Sequence, residues 1–371
     1  MPSVCHLTSV HDARDTRILL HECRSLAHAG YRVFLVAPAE SDIVDDDIIV
    51  KRVPKPSRRL ERMTKTAWAV YRAARETKAD IYHFHDAELM VVGILLKLQG
   101  KIVVFDAHED LPDDFSIKLW VPKPLRWLAA LFGLLLTKIA GLAFPAIVSA
   151  TPVIASRFPK HKTTVIHNYP LPEELIEARP TPFQERPPRV VYVGKISWVR
   201  GINEMIGAID ALTDAPEVRL TIAGTFDSPE LETHVRALAG WERVDFLGWQ
   251  PRAQVRELLG SARVGLVLFH PEAAHLNALP NKLFEYMASQ IPVVASDFPL
   301  WRTIVGEAGC GVLVDPLDRD AIAEAIQRLI REPGVAEQMG RRGREAVISR
   351  YNWTTQASQL LVAYSELSHA R

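Results

Sequence analysis

The fold of this chain is decided by the stretch from residue 277 to residue 297, Asn277-Ala-Leu-Pro-Asn-Lys-Leu-Phe-Glu-Tyr-Met-Ala-Ser-Gln-Ile-Pro-Val-Val-Ala-Ser-Asp297. Its pattern predicts a loop, a short helix, a turn and a buried strand. Pro280 suits a helix start, because its ring fixes φ and its missing N–H is not needed there, and Asn281 is placed to cap the first turn. The apolar, β-branched run at residues 291–295 is typical of a strand in a parallel sheet.

The start of this predicted helix is suited to a phosphate group. Unpaired N–H groups and the helix dipole attract anions there, and Lys282 falls in the first turn. Glu285 follows three residues later, so the two side chains point to similar sides of the helix. The pattern fits a diphosphate bound next to sugar hydroxyls. It fits equally well an ordinary amphipathic helix with a Lys–Glu pair facing water.

Length and composition set limits on the class of protein. A chain of 371 residues exceeds what one hydrophobic core usually serves, which predicts two domains. Lys and Arg total 44 and are balanced by 44 Asp and Glu, which argues against a general nucleic-acid-binding protein. Three separated cysteines, Cys5, Cys23 and Cys310, disfavour a disulfide or metal framework and fit a reducing cytoplasm. The N-terminus lacks the charged and apolar regions of a signal peptide.

The N-terminal half has the pattern of a doubly wound α/β domain. An apolar run at 4–7, a helical pattern at 17–29 ended by Gly30 and a second strand at 31–37 predict a βαβ unit. The loop after the first strand lacks the G-x-G-x-x-G fingerprint of dinucleotide-binding proteins. Its polar residues either contact an acceptor substrate or simply face solvent, and the candidates are Asp12, Arg14 and Arg17.

Two later strands in this half end in clusters of histidine and acidic residues. One is His83-Phe-His-Asp-Ala-Glu88 and the other is Asp106-Ala-His-Glu-Asp110. Because open α/β sheets bind ligands at the carboxyl ends of their strands, two such clusters favour a functional site over chance. The candidate side chains are His85, Asp86 and His108.

Residues 127–148 are almost wholly apolar, with Lys138 as the one charge. The last of them resemble a sheet strand, which leaves an apolar helix of about 15 residues, too short to span a bilayer. Aromatic and basic residues from Trp120 to Trp127 favour peripheral contact of segment 120–145 with a membrane surface. The alternative is a helix buried between domains.

A proline-rich stretch separates two α/β series. Residues 169–188 predict a linker, between an N-terminal domain at 1–168 and a C-terminal domain at 189–350. The terminal helix at 351–371 is placed to cross back to the first domain. The second series begins with a strand at 189–193, whose following turn carries Gly194, Lys195 and Arg200. Glycine permits close approach of a ligand, and two cations suit a diphosphate.

Seven segments in this order resemble the retaining glycosyltransferases of family 4, the group 1 transferases of the GT-B fold. The resemblance covers nearly the whole chain and is nearest to the branch that builds bacterial surface polysaccharides. The segments are Val10-His-Asp-Ala-Arg-Asp-Thr-Arg17, His83-Phe-His-Asp-Ala-Glu-Leu89, Phe105-Asp-Ala-His-Glu-Asp110, Val165-Ile-His-Asn-Tyr-Pro170, Val193-Gly-Lys-Ile-Ser-Trp-Val-Arg-Gly201, Phe246-Leu-Gly-Trp249 and Leu279-Pro-Asn-Lys-Leu-Phe-Glu-Tyr-Met-Ala288.

The resemblance implies two Rossmann-like domains facing a cleft, with the nucleotide-sugar donor on the C-terminal domain and the acceptor on the N-terminal one. It implies that Lys195 and Arg200 hold the donor diphosphate, although the family usually has Arg first and Lys second. It places Glu285 on the ribose hydroxyls and His108 near the transferred sugar. Asn277 stands where the family has a first Glu. The remaining implied donor residues are Gly194, Gly224, Asn281, Lys282 and Leu283, and those on the acceptor side are Asp12, Arg14, Arg17, His85 and Asp86.

The implied chemistry is stabilisation of a leaving group. The sugar departs as an oxocarbenium-like species, and Lys195, Arg200 and the amides of residues 281–283 stabilise the diphosphate, with His108 beside the reacting sugar. The departing phosphate oxygen takes the acceptor proton, so no protein nucleophile is assigned. The sequence shows no metal-ligand cluster, and no cofactor or metal is expected.

The implied partners are a nucleotide sugar and a glycan or polyprenyl-linked acceptor, in the cytoplasm or on the inner face of the cell membrane. Two alternatives stay open. One is a non-catalytic subunit that binds a nucleotide sugar, suggested by Asn277. The other is a sugar-nucleotide epimerase of the GT-B fold. A nicotinamide oxidoreductase is disfavoured, because neither domain begins with the glycine fingerprint.

Overall fold

The computed structural model describes residues 2–45, 47–117, 121–175 and 181–369. The chain forms two compact units, one of Met1–Asn168 with Trp353–Arg371 and one of Tyr169–Asn352. Each unit has its own β-sheet and its own hydrophobic core. Each unit therefore meets the usual definition of a domain.

The first unit is built on a mainly parallel sheet. Its strands are β1 (Ser3–Leu7), β2 (Arg32–Pro38), β3 (Ile43–Asp45), β4 (Ile48–Val53), β5 (Ile81–Phe84), β6 (Ile102–Ala107), β7 (Ala146–Ser149) and β8 (Thr163–Val165). In the described residues they pair in the order β3-β4-β2-β1-β5-β6-β7-β8, and β3 runs antiparallel to β4. The winding direction reverses between β1 and β5. Open α/β sheets place their ligands at the carboxyl ends of the strands beside such a reversal.

The helical segments of this unit lie between its strands, except the last, which follows the second unit in sequence. The predicted helix at 17–29 is a wide π-type helix, Thr16–Cys23, followed by a short α-helix, Arg24–His28. Asp15 begins it by accepting hydrogen bonds from the amides of Arg17 and Ile18. The others are Arg59–Glu61, Arg62–Thr66, Ala67–Thr77, Ala87–Leu89, Met90–Leu98, Leu111–Ile117, Lys123–Leu125, Arg126–Ala143, Pro152–Ala155, Lys160–Lys162 and Trp353–His369.

The second unit has a wholly parallel sheet in its described residues. Its strands are β9 (Arg189–Val193), β10 (Arg219–Ala223), β11 (Val244–Gly248), β12 (Val264–Val267), β13 (Val293–Ser296) and β14 (Gly311–Val314). They pair in the order β11-β10-β9-β12-β13-β14, so the winding reverses between β9 and β12. The helical segments are Pro172–Leu175, Phe183–Glu185, Trp198–Arg200, Ile202–Ala211, Pro229–Arg236, Ala239–Arg243, Arg252–Gly260, Ala273–Leu276, Asn281–Ala288, Pro299–Trp301, Arg302–Gly306, Arg319–Arg331 and Pro333–Ser349.

The opening stretch folds nearly as its pattern predicts, with shifted boundaries. The helix is Asn281–Ala288 and the strand is Val293–Ser296. Pro280 precedes the helix with φ of −70°, and Asn281 is its first residue and not its cap. The strand is fully buried, as expected for a central strand of a parallel sheet.

The predicted linker at 169–188 is not a bare connection in its described part, 169–175 and 181–188. Tyr169, Leu175 and Phe183 are buried in the cores of the second unit. Arg186 is also buried and donates to the carbonyls of Thr181 and Ala262. These large side chains, spaced among the prolines, bury enough surface to hold the segment against its unit.

The C-terminal helix Trp353–His369 packs on the first unit. Trp353 Nε1 donates to Ser25 Oγ at 2.8 Å, and Gln356 Oε1 accepts from the His167 amide at 2.8 Å. Tyr364 lies fully buried, with its hydroxyl 2.6 Å from His83 Nδ1. The helix therefore contributes to the interior of the first unit.

The apolar helix Arg126–Ala143 has 18 residues, longer than the 15 expected from the sequence. By length and composition alone it could cross a membrane, with a mean hydropathy of 1.5. Small residues line its protein face, and a Cβ at Gly133 would lie 2.6 Å from the Leu111 carbonyl oxygen. Large apolar side chains stay exposed, and they are Trp127, Leu128, Leu131, Phe132, Leu135 and Leu142. The helix is therefore not a core helix of its unit. Trp120, which belongs to the predicted membrane segment, lies outside the described residues.

Candidate functional site

In the second unit, two glycines bring the ends of neighbouring strands unusually close. Gly194 follows β9 with φ of +121°, a conformation that favours glycine. Gly224 follows β10, and a Cβ there would lie 1.9 Å from the Gly194 carbonyl oxygen. The Gly194 amide donates to the Ala223 carbonyl at 2.8 Å. These contacts fix a tight pair of turns at the carboxyl edge of the sheet.

Lys282 is the most unusual charged residue of this edge. Its side chain is 7% exposed, and its ammonium lies 3.6 Å from the centre of the Tyr192 ring. Among the described residues, Nζ has no hydrogen-bond partner. Burial holds the pKa of Lys282 well below its usual range, the charge of Arg200 lowers it further, and Glu285 acts in the opposite direction. A buried donor without a partner, beside the reversal of the sheet, is a candidate ligand contact.

Arg200 adds a second cation to the same place. Its guanidinium lies 5.6 Å from the centre of the Phe269 ring, and Lys282 Nζ lies at the same distance from that ring. Arg200 also donates to the Lys195 carbonyl oxygen at 3.2 Å. The Lys195 side chain turns away and pairs with Asp227. The fold thus groups Arg200 with Lys282, whereas the Lys195 ammonium is held by Asp227.

Glu285 is buried in the same helix as Lys282. Its Oε1 accepts from Arg252 Nη1 at 2.6 Å. Arg252 begins the helix that follows the Gly248-Trp249 turn, so this ion pair joins two turns at one end of the sheet. A carboxylate whose orientation is fixed by an arginine is suited to accept hydrogen bonds from ligand hydroxyl groups.

Other predicted donor residues have different places. The Leu283 side chain is fully buried in the core, and its amide donates to the Pro280 carbonyl at 3.0 Å. The prediction that the Leu283 amide binds a diphosphate is therefore wrong, because this N–H group already donates to the Pro280 carbonyl. Asn281 is exposed at the helix start, and Asn277 is exposed at the end of the short helix Ala273–Leu276.

A groove of about 320 Å³ opens at the carboxyl ends of β10 and β11. Its lining combines turn glycines, two phenylalanines, a tryptophan and acidic or hydroxyl side chains: Gly224, Thr225, Phe226, Asp227, Ser228, Pro229, Glu232, Phe246, Gly248 and Trp249. Trp249 is 72% exposed and offers a free aromatic face at the rim. Because Asp227 also binds Lys195, the groove adjoins the turn after β9.

In the first unit, the reversal between β1 and β5 carries a buried ionic network. Arg17 is 3% exposed and binds both oxygens of Asp106 at 3.1 Å, while its Nη1 donates to the Ile166 carbonyl at 2.9 Å. Burial alone would raise the pKa of Asp106, but the charges of Arg17 and His108 hold it well below its usual range. Burial, reinforced by the charge of Asp106, raises the pKa of Glu22.

Three predicted acceptor contacts are therefore structural. Arg17 is committed to Asp106, so its prediction as an acceptor contact is wrong. Asp86 is buried and accepts from the Thr8 hydroxyl at 2.9 Å and the Ser9 amide at 2.6 Å, which orders the loop after β1. His85 is buried as well, with Nδ1 3.1 Å from Asp106 Oδ2. All three side chains are buried and bind other groups of the protein, so they are not available to a ligand.

The other predicted residues of this unit reach solvent. The His108 side chain is 19% exposed, and its Nε2 lies 2.9 Å from Asp106 Oδ2. His11 stacks near it, with ring centres 5.7 Å apart. Asp12 and Arg14 are exposed in the loop after β1, where Asp12 Oδ1 accepts from the Arg14 amide at 3.0 Å. His108 is thus the solvent-facing end of a network whose other members are buried.

The fold brings together side chains that could hold a metal ion, although the sequence shows no metal-ligand cluster. One group consists of His6, Glu22, His83 and His85, and the other consists of His85, Asp106 and His108. Sequence spacing could not reveal them, because their members come from different strands and from the helix after β1.

Sequence reasoning also missed Tyr192, Phe269 and Arg252. The two rings surround the Lys282 ammonium, and Arg252 orients Glu285. Tyr192 alternates with buried valines in β9 and looks like an ordinary core residue, so its sequence carries no signal of this role.

Comparison with known proteins gives the family of the chain. Residues 173–346 match the family model for glycosyl transferases group 1, and residues 16–169 match the model for glycosyltransferase family 4. The chain belongs to this glycosyltransferase family. Two successive models cover most of the chain, one on each half, so the predicted family is confirmed.

Relatives and solved structures extend this result. The chain is 31% identical over 198 residues to the alpha-maltose-1-phosphate synthase of Mycolicibacterium smegmatis, covering 49% of this chain and 48% of that protein. The alignment therefore spans about half of the curated relative. The sucrose-phosphate synthase structure from Thermosynechococcus elongatus superimposes with a TM-score of 0.80 at 20% identity over 100% of both chains. Anabaena HepE, crystallised with UDP and glucose, has a TM-score of 0.77 at 16% identity, covering 99% of this chain and 100% of that one. The predicted GT-B fold of two Rossmann-like domains is confirmed.

Proposed function

We propose that this glycosyltransferase moves a sugar from a nucleoside diphosphate sugar to a glycan or lipid-linked glycan, with retention of configuration, in cell-surface polysaccharide synthesis. The observation that carries the proposal is the buried Lys282 ammonium, which lacks a hydrogen-bond partner in the described chain. Arg200 adds positive charge beside it and Glu285 lies in the same helix. A diphosphate would give Lys282 the anionic partner that the donor-free protein does not provide.

The donor is expected to lie along the carboxyl edge of the second sheet. The diphosphate contacts Lys282 and Arg200 near Gly194, where a larger residue would crowd the Lys282 ammonium at 3.3 Å. The ribose hydroxyls bind Glu285, and the nucleoside lies in the groove rimmed by Trp249. HepE, which shares this fold, was crystallised with UDP and glucose, which makes a uridine nucleotide the first donor to test.

The two cations would act mainly on the leaving group. As the bond to the sugar breaks, negative charge grows on the diphosphate, and preorganised cations in a partly buried site stabilise it more than water does. The departing oxygen accepts the proton of the acceptor hydroxyl on the same face of the sugar, so the bond that forms replaces the one that breaks. The family resemblance assigns His108 a hydrogen bond to the transferred sugar, and Asp106 holds its imidazole.

The experiment is thermal stabilisation of the full chain against UDP-, GDP-, ADP- and dTDP-sugars. A donor at a hundred times its dissociation constant should raise the unfolding free energy by about 2.7 kcal/mol. Glu285→Ala should weaken that donor by roughly 1–3 kcal/mol, because a buried polar contact is lost. Glu324→Ala, which removes an exposed carboxylate from another helix of the same unit, should leave the donor affinity unchanged. Failure of every nucleotide sugar to stabilise the protein would overturn the proposal.

A non-catalytic donor-binding subunit is the second candidate, because Asn277 stands where family members carry a glutamate. The transferase and the non-catalytic subunit are distinguished by incubating the identified donor with glycan and polyprenyl-linked acceptors and measuring release of the nucleoside diphosphate. Binding without release or transfer would favour the subunit. An acceptor-free change in the donor sugar would instead reveal an epimerase, and the anomeric configuration of a transferred sugar tests retention.

Peripheral contact with an anionic membrane is proposed for the helix Arg126–Ala143. Its exposed apolar face is bordered by Lys138, and Lys97 and Lys162 bind the carbonyls of Ala143 and Phe144 at its C-terminal end. Large apolar side chains beside lysines suit insertion into the headgroup region of an anionic bilayer. This surface would bring the protein to a lipid-linked acceptor on the inner face of the membrane.

Replacing Leu131, Phe132 and Leu135 together by serine should release the protein from phosphatidylglycerol-containing vesicles. Each side chain contributes about 1.5–3 kcal/mol when fully buried, so the partition coefficient should fall at least about tenfold. Co-sedimentation measures this, and the matched control is Leu317→Ser with Ile348→Ser, two exposed apolar residues of the other unit. If the wild-type chain does not bind the vesicles, membrane contact through this helix is refuted.

A further inference from the structure

A second polar site lies inside the first unit, below the solvent-facing His108. Four side chains form it, here called the imidazole cluster: His6, Glu22, His83 and His85. They come from β1, the helix Thr16–Cys23 and the end of β5. All four are buried, and the proposed transfer reaction gives no role to His6, Glu22 or His83.

The spacing of the imidazole cluster is that of a metal site. One ligand atom from each residue lies within 4.8 Å of the others. His6 Nδ1 is 2.9 Å from His85 Nε2 and 3.8 Å from Glu22 Oε2, and His83 Nδ1 is 3.7 Å from the same oxygen. Tetrahedral zinc with bonds of about 2.0–2.2 Å separates its ligands by about 3.4 Å. The three separations given above differ from that value by about 0.5 Å or less, and every other pair of ligand atoms lies within 4.8 Å. Side-chain shifts of up to about an ångström would therefore bring the four atoms into one coordination sphere.

Hydrogen bonding gives an independent sign of a missing ligand. Among the described residues, both Glu22 oxygens, His6 Nε2 and His83 Nε2 are buried without a hydrogen-bond partner. Arg17 Nε approaches Glu22 Oε1 to 3.0 Å without the alignment of a hydrogen bond, and the hydrogen bonds of Arg17 go to Asp106 and the Ile166 carbonyl. Buried polar groups are normally satisfied, so this group of orphans requires an explanation. A cation bound by Glu22 would supply the missing partner of the carboxylate, whereas the Nε2 atoms of His6 and His83 are not the nitrogens that face Glu22.

The surroundings also resemble those of known metal ligands. His85 presents Nε2 to the cluster and Nδ1 to Asp106 Oδ2 at 3.1 Å, an arrangement in which a carboxylate orients a metal-binding imidazole. The Tyr364 hydroxyl lies 2.6 Å from His83 Nδ1, the nitrogen that faces Glu22, so an ion bound by this nitrogen would displace that hydrogen bond. The charge of Arg17 is already balanced by its paired contact with Asp106, so it does not exclude a cation beside Glu22.

We propose that the imidazole cluster binds one divalent transition-metal ion, with zinc as the preferred ion. Three imidazole nitrogens and one carboxylate oxygen suit zinc better than magnesium or calcium, which prefer oxygen ligands. A closed, fully buried set of four ligands is characteristic of a structural zinc site. The ion would fasten β1, β5 and the helix Thr16–Cys23 together and fix His85, Asp106 and His108 behind the sheet edge.

The test measures metal content, which does not depend on transferase activity. The full chain without an affinity tag is treated with chelator, exposed to zinc or cobalt, desalted and analysed by mass spectrometry. The expected result is about one ion per chain and a higher melting temperature with metal than without. Less than about a tenth of an ion per chain in the wild type would overturn the proposal.

Variants and spectroscopy locate the ion. Glu22→Gln and His6→Gln should each lose the bound metal and the metal-dependent rise in melting temperature. His28→Gln, which removes an exposed imidazole just after the same helix, should retain both. X-ray absorption of the wild-type zinc protein does not depend on variant folding, and it should show nitrogen and oxygen ligands only. A sulfur ligand, or full metal content in the Glu22 and His6 variants, would refute the site.

Discussion

Lys282→Met should weaken donor binding strongly and at the same time stabilise the donor-free protein. Lys282 is buried beside Tyr192, and in the described residues its ammonium finds no hydrogen-bond acceptor. Methionine keeps most of the volume and removes the desolvated charge, which should raise the unfolding free energy by about 1–3 kcal/mol. Loss of a charged contact to the diphosphate should weaken the donor roughly ten- to a hundredfold. Chemical unfolding and titration calorimetry measure the two effects.

The pH dependence of this effect has a defined sign. The pKa of Lys282 in the folded protein is lowered by burial and by Arg200, so folding disfavours the ammonium. The penalty is complete below the folded-state pKa and disappears as the pH rises towards the unfolded value. Wild-type stability should therefore gain over that interval relative to Lys282→Met. Donor affinity should fall as the pH rises through the same folded-state pKa, because the diphosphate binds the charged form.

Lys195→Met provides the matched control, because the second unit offers Lys195 as an exposed lysine paired with Asp227. Its stability should change by no more than about 0.5 kcal/mol. If Lys282→Met instead destabilised the protein like a core truncation, the ammonium would be well accommodated without donor, and the argument for a diphosphate partner would fail.

Asp106→Asn should destabilise the first unit by about 3–5 kcal/mol. Asp106 is fully buried and receives two contacts from Arg17, together with contacts from His85 and His108. Neutralising it removes the carboxylate that binds Arg17 through two hydrogen bonds, and leaves Glu22 Oε1, 3.0 Å from Arg17 Nε, as the remaining carboxylate beside this buried guanidinium. Equilibrium unfolding in urea, followed with Trp353 as a probe of the first unit, measures the loss.

Two comparisons make this prediction specific. Asp45→Asn breaks a half-exposed pair with Arg24 in the same unit and should cost less than about 1 kcal/mol. Combining Asp106→Leu with Arg17→Met should recover part of the stability, because both charges then leave the interior together. Equal effects of Asp106→Asn and Asp45→Asn would show that the buried pair carries no special energetic weight.

The sequence predicted the α/β class and the family because these depend on local pattern. Apolar runs followed by turn glycines gave β9 and its Gly194 turn, and the order of seven motifs gave the GT-B resemblance. The position of Lys282 and Glu285 on one short helix was also readable, because residues three apart share a helix face. The proline-rich segment was misread as a bare linker, because composition does not show that Tyr169 and Phe183 have cores to enter.

The use of each polar side chain was decided by tertiary structure. Arg17, Asp86 and His85 have the residue types of a binding loop, yet all three are buried and serve the protein itself. The partners that bury them lie as many as 149 residues away in the chain, as Ile166 does from Arg17. Likewise, the imidazole cluster joins residues from three separate elements. The sequence by itself determined the fold and the family, through local periodicity and motif order. Only the tertiary structure decided which charges face a ligand and which face one another, because burial and pairing depend on contacts that no sequence spacing records.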